Sequence, residues 1–291
     1  MTHEDPMWRE FQPLWSEFQL VGNQVHLAGG YGLFLKQRWL LANWDYPTVI
    51  PLENWLDSTP RATNDLDIVV GLALLADAEA QRSIVQALER NNFKVVAEHP
   101  RWQFEKQLDP DRRVLVDLHA ELPESENQSL ALDKLRVKHR PSLGEQGVHG
   151  RQNPEAAGCS LHPFLFQIGD IVISVPNPVT WSVMKLISTR DRRMKSEDTE
   201  RNEEYRNFHN YEAMKHARDV GRIIAMTTRD ERDSAHEVIA EIRERAYFAE
   251  AVAACDQLFL REEGWGGLVA VRHWRTDDFR LIRDVLASWF R

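Results

Sequence analysis

Two aspartates separated by one residue, Asp65 and Asp67, are the pair in this sequence best suited to chemistry. They open a short apolar segment, Asp65 to Gly71, which has the composition of a strand. Successive side chains of a strand point to opposite faces, so both carboxylates would enter one small space while Leu66 turns into the core. Because two carboxylates repel each other unless a cation lies between them, and because hard oxygen ligands suit Mg²⁺, the spacing predicts a magnesium site.

A third carboxylate, Asp117, lies within an apolar segment that we predict to be a strand from Val114 to Leu122. A charged residue in the middle of such a strand needs a partner. If this strand lies beside the first, Asp117 completes a site for two ions, which would activate an attacking oxygen and stabilise a leaving pyrophosphate. An Asp-x-Asp pair by itself more often has a surface or capping role, so the surrounding residues decide between the two interpretations.

Gly29 and Gly30 lie at the turn between a predicted strand, Val25 to Ala28, and a predicted helix, Tyr31 to Leu41. The backbone N–H groups of such a turn, together with the start of the helix, can hold a phosphate group. The alternative is a tight packing turn without a ligand. The sequence between residues 43 and 60 contains three prolines and is predicted to be a long loop.

The remaining pattern predicts a mixed α/β fold, with a mixed sheet and flanking helices in domain 1–176 and a mainly helical domain 177–291. Asn177 and Pro178 are typical of a helix start. We predict further strands at 94–97, 102–108 and 166–175, and helices at 8–21, 77–91, 177–189, 200–226, 234–259 and 277–290. A further strand at 268–271 is the one exception considered in the second domain.

The composition restricts the class of protein. The chain has 291 residues, of which 43% are hydrophobic, and a formal net charge of −9, which argues against a broad basic surface for nucleic acid. Cys159 and Cys255 are too few for a disulfide framework, so we expect a reducing, cytoplasmic location. No apolar run is long enough to span a membrane, and we expect no membrane partner.

Several short segments together resemble the AbiEii/AbiGii family of nucleotidyltransferase-fold toxins. The first two are Leu27-Ala-Gly-Gly-Tyr-Gly-Leu33 and Arg61-Ala-Thr-Asn-Asp-Leu-Asp67. The helix start Asn177-Pro-Val-Thr-Trp-Ser-Val-Met-Lys-Leu186 and the segment Lys215-His-Ala-Arg-Asp219 are similar to two later elements of that family. The resemblance extends over about Val25 to Met226 and implies a nucleotidyltransferase fold.

The resemblance also implies roles for individual residues. Gly29 and Gly30 would form the phosphate loop, and Lys185 would contact the triphosphate. Asp219 would be an acidic residue held near Lys185. The remaining implied roles are metal binding by Asp65, Asp67 and Asp117, and orientation of the nucleotide by Arg61 and Thr63. The plainer alternatives are a solvated Lys185 and, for Asp219, an ion pair within its helix to Lys215 or Arg222.

The activity that the resemblance implies is Mg²⁺-dependent transfer of a nucleoside monophosphate from an NTP to an acceptor. In this family the acceptor can be the 3′ end of tRNA, and the enzyme acts as a toxin with a cognate antitoxin protein. Two alternatives are transfer to a small molecule such as an aminoglycoside or to a protein hydroxyl, and a non-catalytic module of the same fold that binds a partner. Retention of three carboxylates favours an enzyme, because unpaired acidic clusters are costly.

Two features depart from the simplest pattern of the family. Tyr31 follows the glycines where a small hydroxyl residue is common, which removes one expected phosphate contact. About thirty residues separate the glycines from Arg61, which is long for this family.

Other catalytic signatures are missing from the sequence, including a Walker loop, Gly-x-Ser-x-Gly and His-Glu-x-x-His. His119-Ala-Glu121 lacks the paired cysteines of a deaminase, and we interpret His119 as a strand residue without a catalytic role.

Overall fold

The computed structural model describes residues 5–22, 24–43, 45–57, 63, 65–99, 102–120, 142–143, 148 and 150–291. This part of the chain has a mixed α/β fold, in which a mixed sheet is followed by a mainly helical C-terminal half. It separates into two compact units. The first consists of 1–36 and 61–176, and the second consists of 37–60 and 177–291.

The first unit contains a seven-stranded sheet with the main order β1-β2-β5-β4-β3. β2 and β5 are parallel neighbours, and β5 also pairs in parallel with β7, while the other pairs are antiparallel. The strands are β1 Val25–Leu27, β2 Asp65–Val70, β3 Lys94–Val95, β4 Gln103–Asp109, β5 Arg112–Ala120, β6 Ser142–Leu143 and β7 Gly150–Gln152. Most of these strands were predicted within a few residues of their observed ends.

Alternation along β5 determines which residues enter the core. Val114, Val116 and Leu118 are buried on one face, and Asp117 and His119 lie on the other. The apolar face gains the free energy of burial, about 25 cal/mol per Å² of apolar surface, and so holds β5 in one register. A shift of one residue would bury Asp117 in the core.

Helices and a hairpin complete the first unit. The helices are α1 Pro6–Gln19, α2 Gly29–Ala42, α3 Leu72–Ala76 and α4 Ala78–Arg90, and the boundary between the two units falls within α2. The single strand predicted at 166–175 is wrong. It is a two-stranded hairpin of β8 Phe164–Ile168 and β9 Ile171–Val175, because Gly169 adopts a positive φ of +60° and reverses the chain. Trp15 of α1 donates from Nε1 to the carbonyl oxygen of Val172 in this hairpin over 2.9 Å.

The described part of the second unit is helical. Its helices are α5 Pro178–Ser196, α6 Glu203–Ala225, α7 Arg229–Ile242, α8 Ala246–Cys255, α9 Trp265–Ala270 and α10 Thr276–Trp289. The helix predicted at 234–259 is in fact two helices, and α7 begins earlier because Thr228 and Glu231 form a capping box. The strand considered at 268–271 is helical. Among the described residues, no helix is long and apolar enough to span a membrane.

The segment predicted as a long loop contributes to the second unit. The backbone N–H of Val49 donates to the carbonyl of Thr227, and that of Ile50 donates to the carbonyl of Ala225, over 3.0 and 3.1 Å. Ile50 is fully buried, and the Trp55 ring packs edge-on against Trp274 at 4.9 Å between centroids. The described part of this segment therefore belongs to the helical core, and it includes a short 3₁₀ turn at Leu52–Asn54.

Candidate metal centre

Asp67 and Asp117 lie directly side by side on the parallel strands β2 and β5. The register pairs Asp65 with Leu115, and two residues later it brings Asp67 opposite Asp117 on the same face. One oxygen of each carboxylate and a ring nitrogen of His119 lie within 4.8 Å of one another. The two aspartates are half-buried and His119 is largely buried, so a small cation can reach the group from the side of the carboxylates.

The environment of Asp117 disfavours its charged form. Burial raises the pKa of Asp117, and the nearby charge of Asp67 raises it further, against smaller opposing effects of His119, Gln103 and Arg151. Gln103 lies opposite Asp117 on β4 and donates from Nε2 to Oδ1 over 2.7 Å. This bond fixes the orientation of the carboxylate. A carboxylate whose pKa is raised by burial and by a neighbouring carboxylate is the electrostatic condition that a divalent cation relieves.

His119 belongs to this site, although it was predicted to be a strand residue without a catalytic role. It is two residues after Asp117 on β5 and therefore on the same face, and it is only 8% exposed. Its Nε2 lies 3.2 Å from Oδ1 of Asp67. Residues two apart on a strand share a face, as Asp65 and Asp67 do. The same spacing relates Asp117 to His119 and is the sequence signal that identifies His119 as a site residue.

Gly29 lies against the Asp67 carboxylate. The backbone N–H of Ala28 donates to the Asp67 carbonyl over 2.8 Å, which joins the end of β1 to β2. Gly29 then begins α2 with a φ of +63°. A β-carbon at this position would collide with the side chain of Asp67. The glycine turn and the carboxylate were predicted from separate motifs, and the fold brings them into contact.

The first-turn residues Gly30 and Tyr31 differ in role. Gly30 follows Gly29 in the first turn of α2. The backbone N–H groups of this turn have no hydrogen-bond acceptor within the helix. Tyr31 is a core residue. Its ring packs against Phe11 and Phe34, and its hydroxyl donates to Oδ2 of Asp5 over 3.0 Å. The tyrosine that departs from the family pattern therefore stabilises the packing of α2 against α1.

Asp65 shares a face with Asp67 but is not part of the three-residue cluster. It is exposed at the first position of β2, and its backbone N–H donates to Oγ1 of Thr63 over 3.2 Å. Thr63 thus orders the start of the strand that carries the carboxylates. Its predicted role toward a nucleotide stays a prediction. Arg61 lies outside the described residues.

Lys185 and Asp219 form an ion pair inside the second unit. Nζ of Lys185 on α5 is 3.2 Å from Oδ2 of Asp219 on α6, and their side chains are 9% and 1% exposed. The expectation that Asp219 is held near Lys185 agrees with this geometry, and the solvated-lysine alternative does not. The contact between Lys185 and a triphosphate stays a prediction.

Arg151 and Trp102, which the sequence analysis did not select as site residues, lie next to β5 in the sheet. Arg151 of β7 is opposite His119, and its positive charge acts on Asp117. Its guanidinium lies over the ring of Trp102 at 5.2 Å from the centroid. Nothing in the local sequence around Arg151 marks it as a site residue, because it reaches the site through a parallel pairing distant along the chain.

The two cysteines pack inside the protein and form no disulfide. Cys159 and Cys255 are both buried and unpaired as disulfides. Burial raises the pKa of the Cys255 thiol to about 12, so it is protonated at neutral pH and a poor nucleophile or ligand.

Comparison with models of known protein families, with curated proteins and with solved structures finds no match to this chain. What the site does chemically therefore has to follow from its own residues. Two carboxylates and one imidazole, oriented by a glutamine and bordered by a glycine turn, are a donor set that fits a divalent cation.

Proposed function

We propose that this chain is a nucleotidyltransferase, which uses a divalent cation to move a nucleoside monophosphate from an NTP to a hydroxyl acceptor. The observation that carries the proposal is the pairing of Asp67 and Asp117 on adjacent parallel strands, with the Gly29 turn in contact with Asp67. Carboxylates beside a phosphate-binding turn are what this reaction requires, because the cation must contact both protein and triphosphate. The segments that resemble the AbiEii/AbiGii family support the same function.

Each residue of the site has a role in this proposal. Asp67 and Asp117 hold the cation, which supplies Lewis-acid activation of the α-phosphate when it is bound. Gly29 and Gly30 present backbone N–H groups to the phosphates at the start of α2. In the reaction the acceptor oxygen bonds to the α-phosphorus, and the bond to the bridging oxygen of pyrophosphate breaks. The hydroxyl proton passes to solvent water.

Two of the sequence predictions extend this proposal beyond the cluster itself. Asp65 lies on the same face of β2, where it would bind a second Mg²⁺ ion once the triphosphate is present. The other is the contact of Lys185 with the triphosphate, which stays a prediction because Lys185 belongs to the second unit. The first acceptor to test is the 3′ end of tRNA, since the resemblance implies a toxin that modifies it and an antitoxin that restrains the toxin in the cytoplasm.

The test is transfer of label by the purified full chain. The protein is incubated with each of four α-³²P-labelled NTPs and Mg²⁺ or Mn²⁺, with total RNA, an aminoglycoside mixture or the protein alone as acceptor. We expect label in one pool, and loss of at least about a hundredfold in Asp67→Asn, as for removal of a group that stabilises the transition state. Asp170→Asn, an exposed aspartate in the β8–β9 turn, is the matched control and should retain full activity.

Two results would contradict the proposal. The first is no transfer to any pool together with no NTP binding in calorimetry. The second is transfer that survives Asp67→Asn unchanged. NTP binding without transfer, if it is lost in Asp67→Asn, would favour the alternative of a non-catalytic module.

A further inference from the structure

The imidazole of His119 gives the site a nitrogen donor that a pure magnesium site does not need. Magnesium prefers an octahedron of oxygen ligands and keeps several waters, whereas imidazole is a ligand of transition-metal ions. His119 is buried on the same face as the two carboxylates, and its Nε2 is directed at Asp67. A buried imidazole against a carboxylate pair is therefore a feature of the site that the proposed reaction alone does not explain.

The three donors are close enough to meet at one ion once the side chains move. Neighbouring ligand atoms of an octahedral ion with bonds of about 2.1 Å are about 3 Å apart. Nε2 of His119 and Oδ1 of Asp67 are 3.2 Å apart, and a carboxylate oxygen of Asp117 lies within 4.8 Å of both. The Asp117 side chain therefore has to move toward the other two donors when the ion binds.

The other nitrogen of His119 leaves Nε2 available to an ion. Nδ1 is buried and has no hydrogen-bond partner among the described residues. Within the described residues, no hydrogen bond to Nδ1 determines which ring nitrogen carries the proton. When the proton is on Nδ1, the lone pair of Nε2 is directed toward the carboxylates, and an ion can bind it.

We propose that His119 is the third ligand of the cation held by Asp67 and Asp117, and that it makes the site select Mn²⁺ over Mg²⁺. Mn²⁺ accepts carboxylate and phosphate oxygens as Mg²⁺ does, and it also binds imidazole. The inference rests on the proposed function for the reaction that the ion serves, but the ion preference is a property of the protein without nucleotide. In this proposal the His119 ring bonds directly to the ion and does not merely orient Asp67 through a hydrogen bond.

The experiment measures Mn²⁺ on the full chain in the absence of NTP. Electron paramagnetic resonance counts bound Mn²⁺, and competition with Mg²⁺ gives the ratio of the two affinities. Pulsed measurements of the same sample detect ¹⁴N coupling when an imidazole is bound to the ion. We expect the wild type to bind one Mn²⁺ with ¹⁴N coupling. In His119→Gln we expect the coupling to be lost and the Mn²⁺ affinity to fall by at least about tenfold, which is the size of effect seen when residues around a metal are changed.

The variants separate the two proposals. His119→Gln should change Mg²⁺ affinity much less than Mn²⁺ affinity, and His99→Gln, at an exposed histidine before β4, should change neither. Asp67→Asn should abolish the binding of Mn²⁺ and of Mg²⁺.

Two results overturn the ligand role of His119 and leave the proposed reaction intact. One is bound Mn²⁺ without ¹⁴N coupling in the wild type, and the other is an unchanged ratio of Mn²⁺ to Mg²⁺ affinity in His119→Gln. Mn²⁺ that fails to bind to the wild type overturns the ligand role as well. If Asp67→Asn retains both ions, the metal site of the proposed function is wrong. The ¹⁴N measurement uses the wild type and does not depend on the folding of any variant.

Discussion

A β-carbon on residue 29 would lie 2.6 Å from Cγ of Asp67. Gly29→Ala must therefore displace the carboxylate or the start of α2, and it also forces a φ of +63° on a residue with a side chain. We expect Mn²⁺ affinity to fall by at least about tenfold, since positioning of ligands alone is worth that much. Calorimetric titration with Mn²⁺ measures this directly.

The hairpin turn supplies the control for that substitution. Gly169 has nearly the same φ, +60°, but a β-carbon there would meet nothing within 4 Å. Gly169→Ala should cost about 1 kcal/mol of stability from the backbone alone and leave Mn²⁺ affinity unchanged. Equal ion affinities in the two variants would mean that the contact between Gly29 and Asp67 does not hold the carboxylate in place.

Asp65 and Asp67 should differ in a way that the sequence motif does not distinguish. Asp67 belongs to the cluster and Asp65 does not, so Asp65→Asn should retain the first ion in the protein without nucleotide. Asp65→Asn should reduce activity because the second ion, which binds together with the triphosphate, is held less tightly. The reduction should be smaller than in Asp67→Asn. Metal titrations with and without a non-hydrolysable NTP measure the difference. Loss of the first ion in Asp65→Asn would place both aspartates in one equivalent role.

The pair of Lys185 and Asp219 predicts a change in stability. Lys185→Met removes the cation next to a carboxylate that is 1% exposed, and breaking such a buried pair typically costs about 3 kcal/mol or more. Urea unfolding should show this decrease, and Asp219→Asn added to Lys185→Met should recover part of it. A double variant no more stable than Lys185→Met would argue against a direct pair. Lys185→Arg, which keeps the charge, is the better variant for measurements of NTP binding.

The stability of the first unit should depend on pH through His26. Burial lowers the pKa of His26 to about 4 from 6.5, and its ring contacts the Ser174 and Ser160 hydroxyls. The folded state thus binds fewer protons than the unfolded state between these values. Its contribution to stability is complete above pH 6.5 and is lost as pH falls toward 4, by about 2 kcal/mol between pH 7 and 5.

The measurement is urea unfolding at both pH values in the wild type and in His26→Gln. The variant should lose that part of the pH dependence, although it is less stable than the wild type at pH 7. An identical decrease in both proteins would mean that other groups cause it.

The sequence predicted the elements that carry strong patterns and missed those that depend on distant pairing. Asp67 and Asp117 were found because a charged residue within an apolar strand needs a partner, and the parallel register of β2 and β5 brings them together. Gln103 and Arg151 reach the site only through neighbours of β5 in the sheet. No periodicity along the chain encodes such contacts.

The errors in the helices and strands have similar causes. One apolar run was read as a strand because Gly169 is a weak signal of a turn when isoleucines lie on both sides. The helix break between α7 and α8 has neither proline nor glycine at residues 243–245, so tertiary packing determines it. The segment 43–60 has the composition of a loop, and the contacts that bury Ile50 and Trp55 are made with residues far along the chain.

The same segment has a consequence for synthesis on the ribosome. Ile50 donates its N–H to Ala225 in the finished protein, but at about 5–20 residues per second it is made roughly 10–35 s before Ala225. During that time Ile50 and Trp55, both buried in the final structure, have not met Ala225 and Trp274. The nascent chain therefore exposes these two apolar side chains to solvent until its C-terminal half has been made.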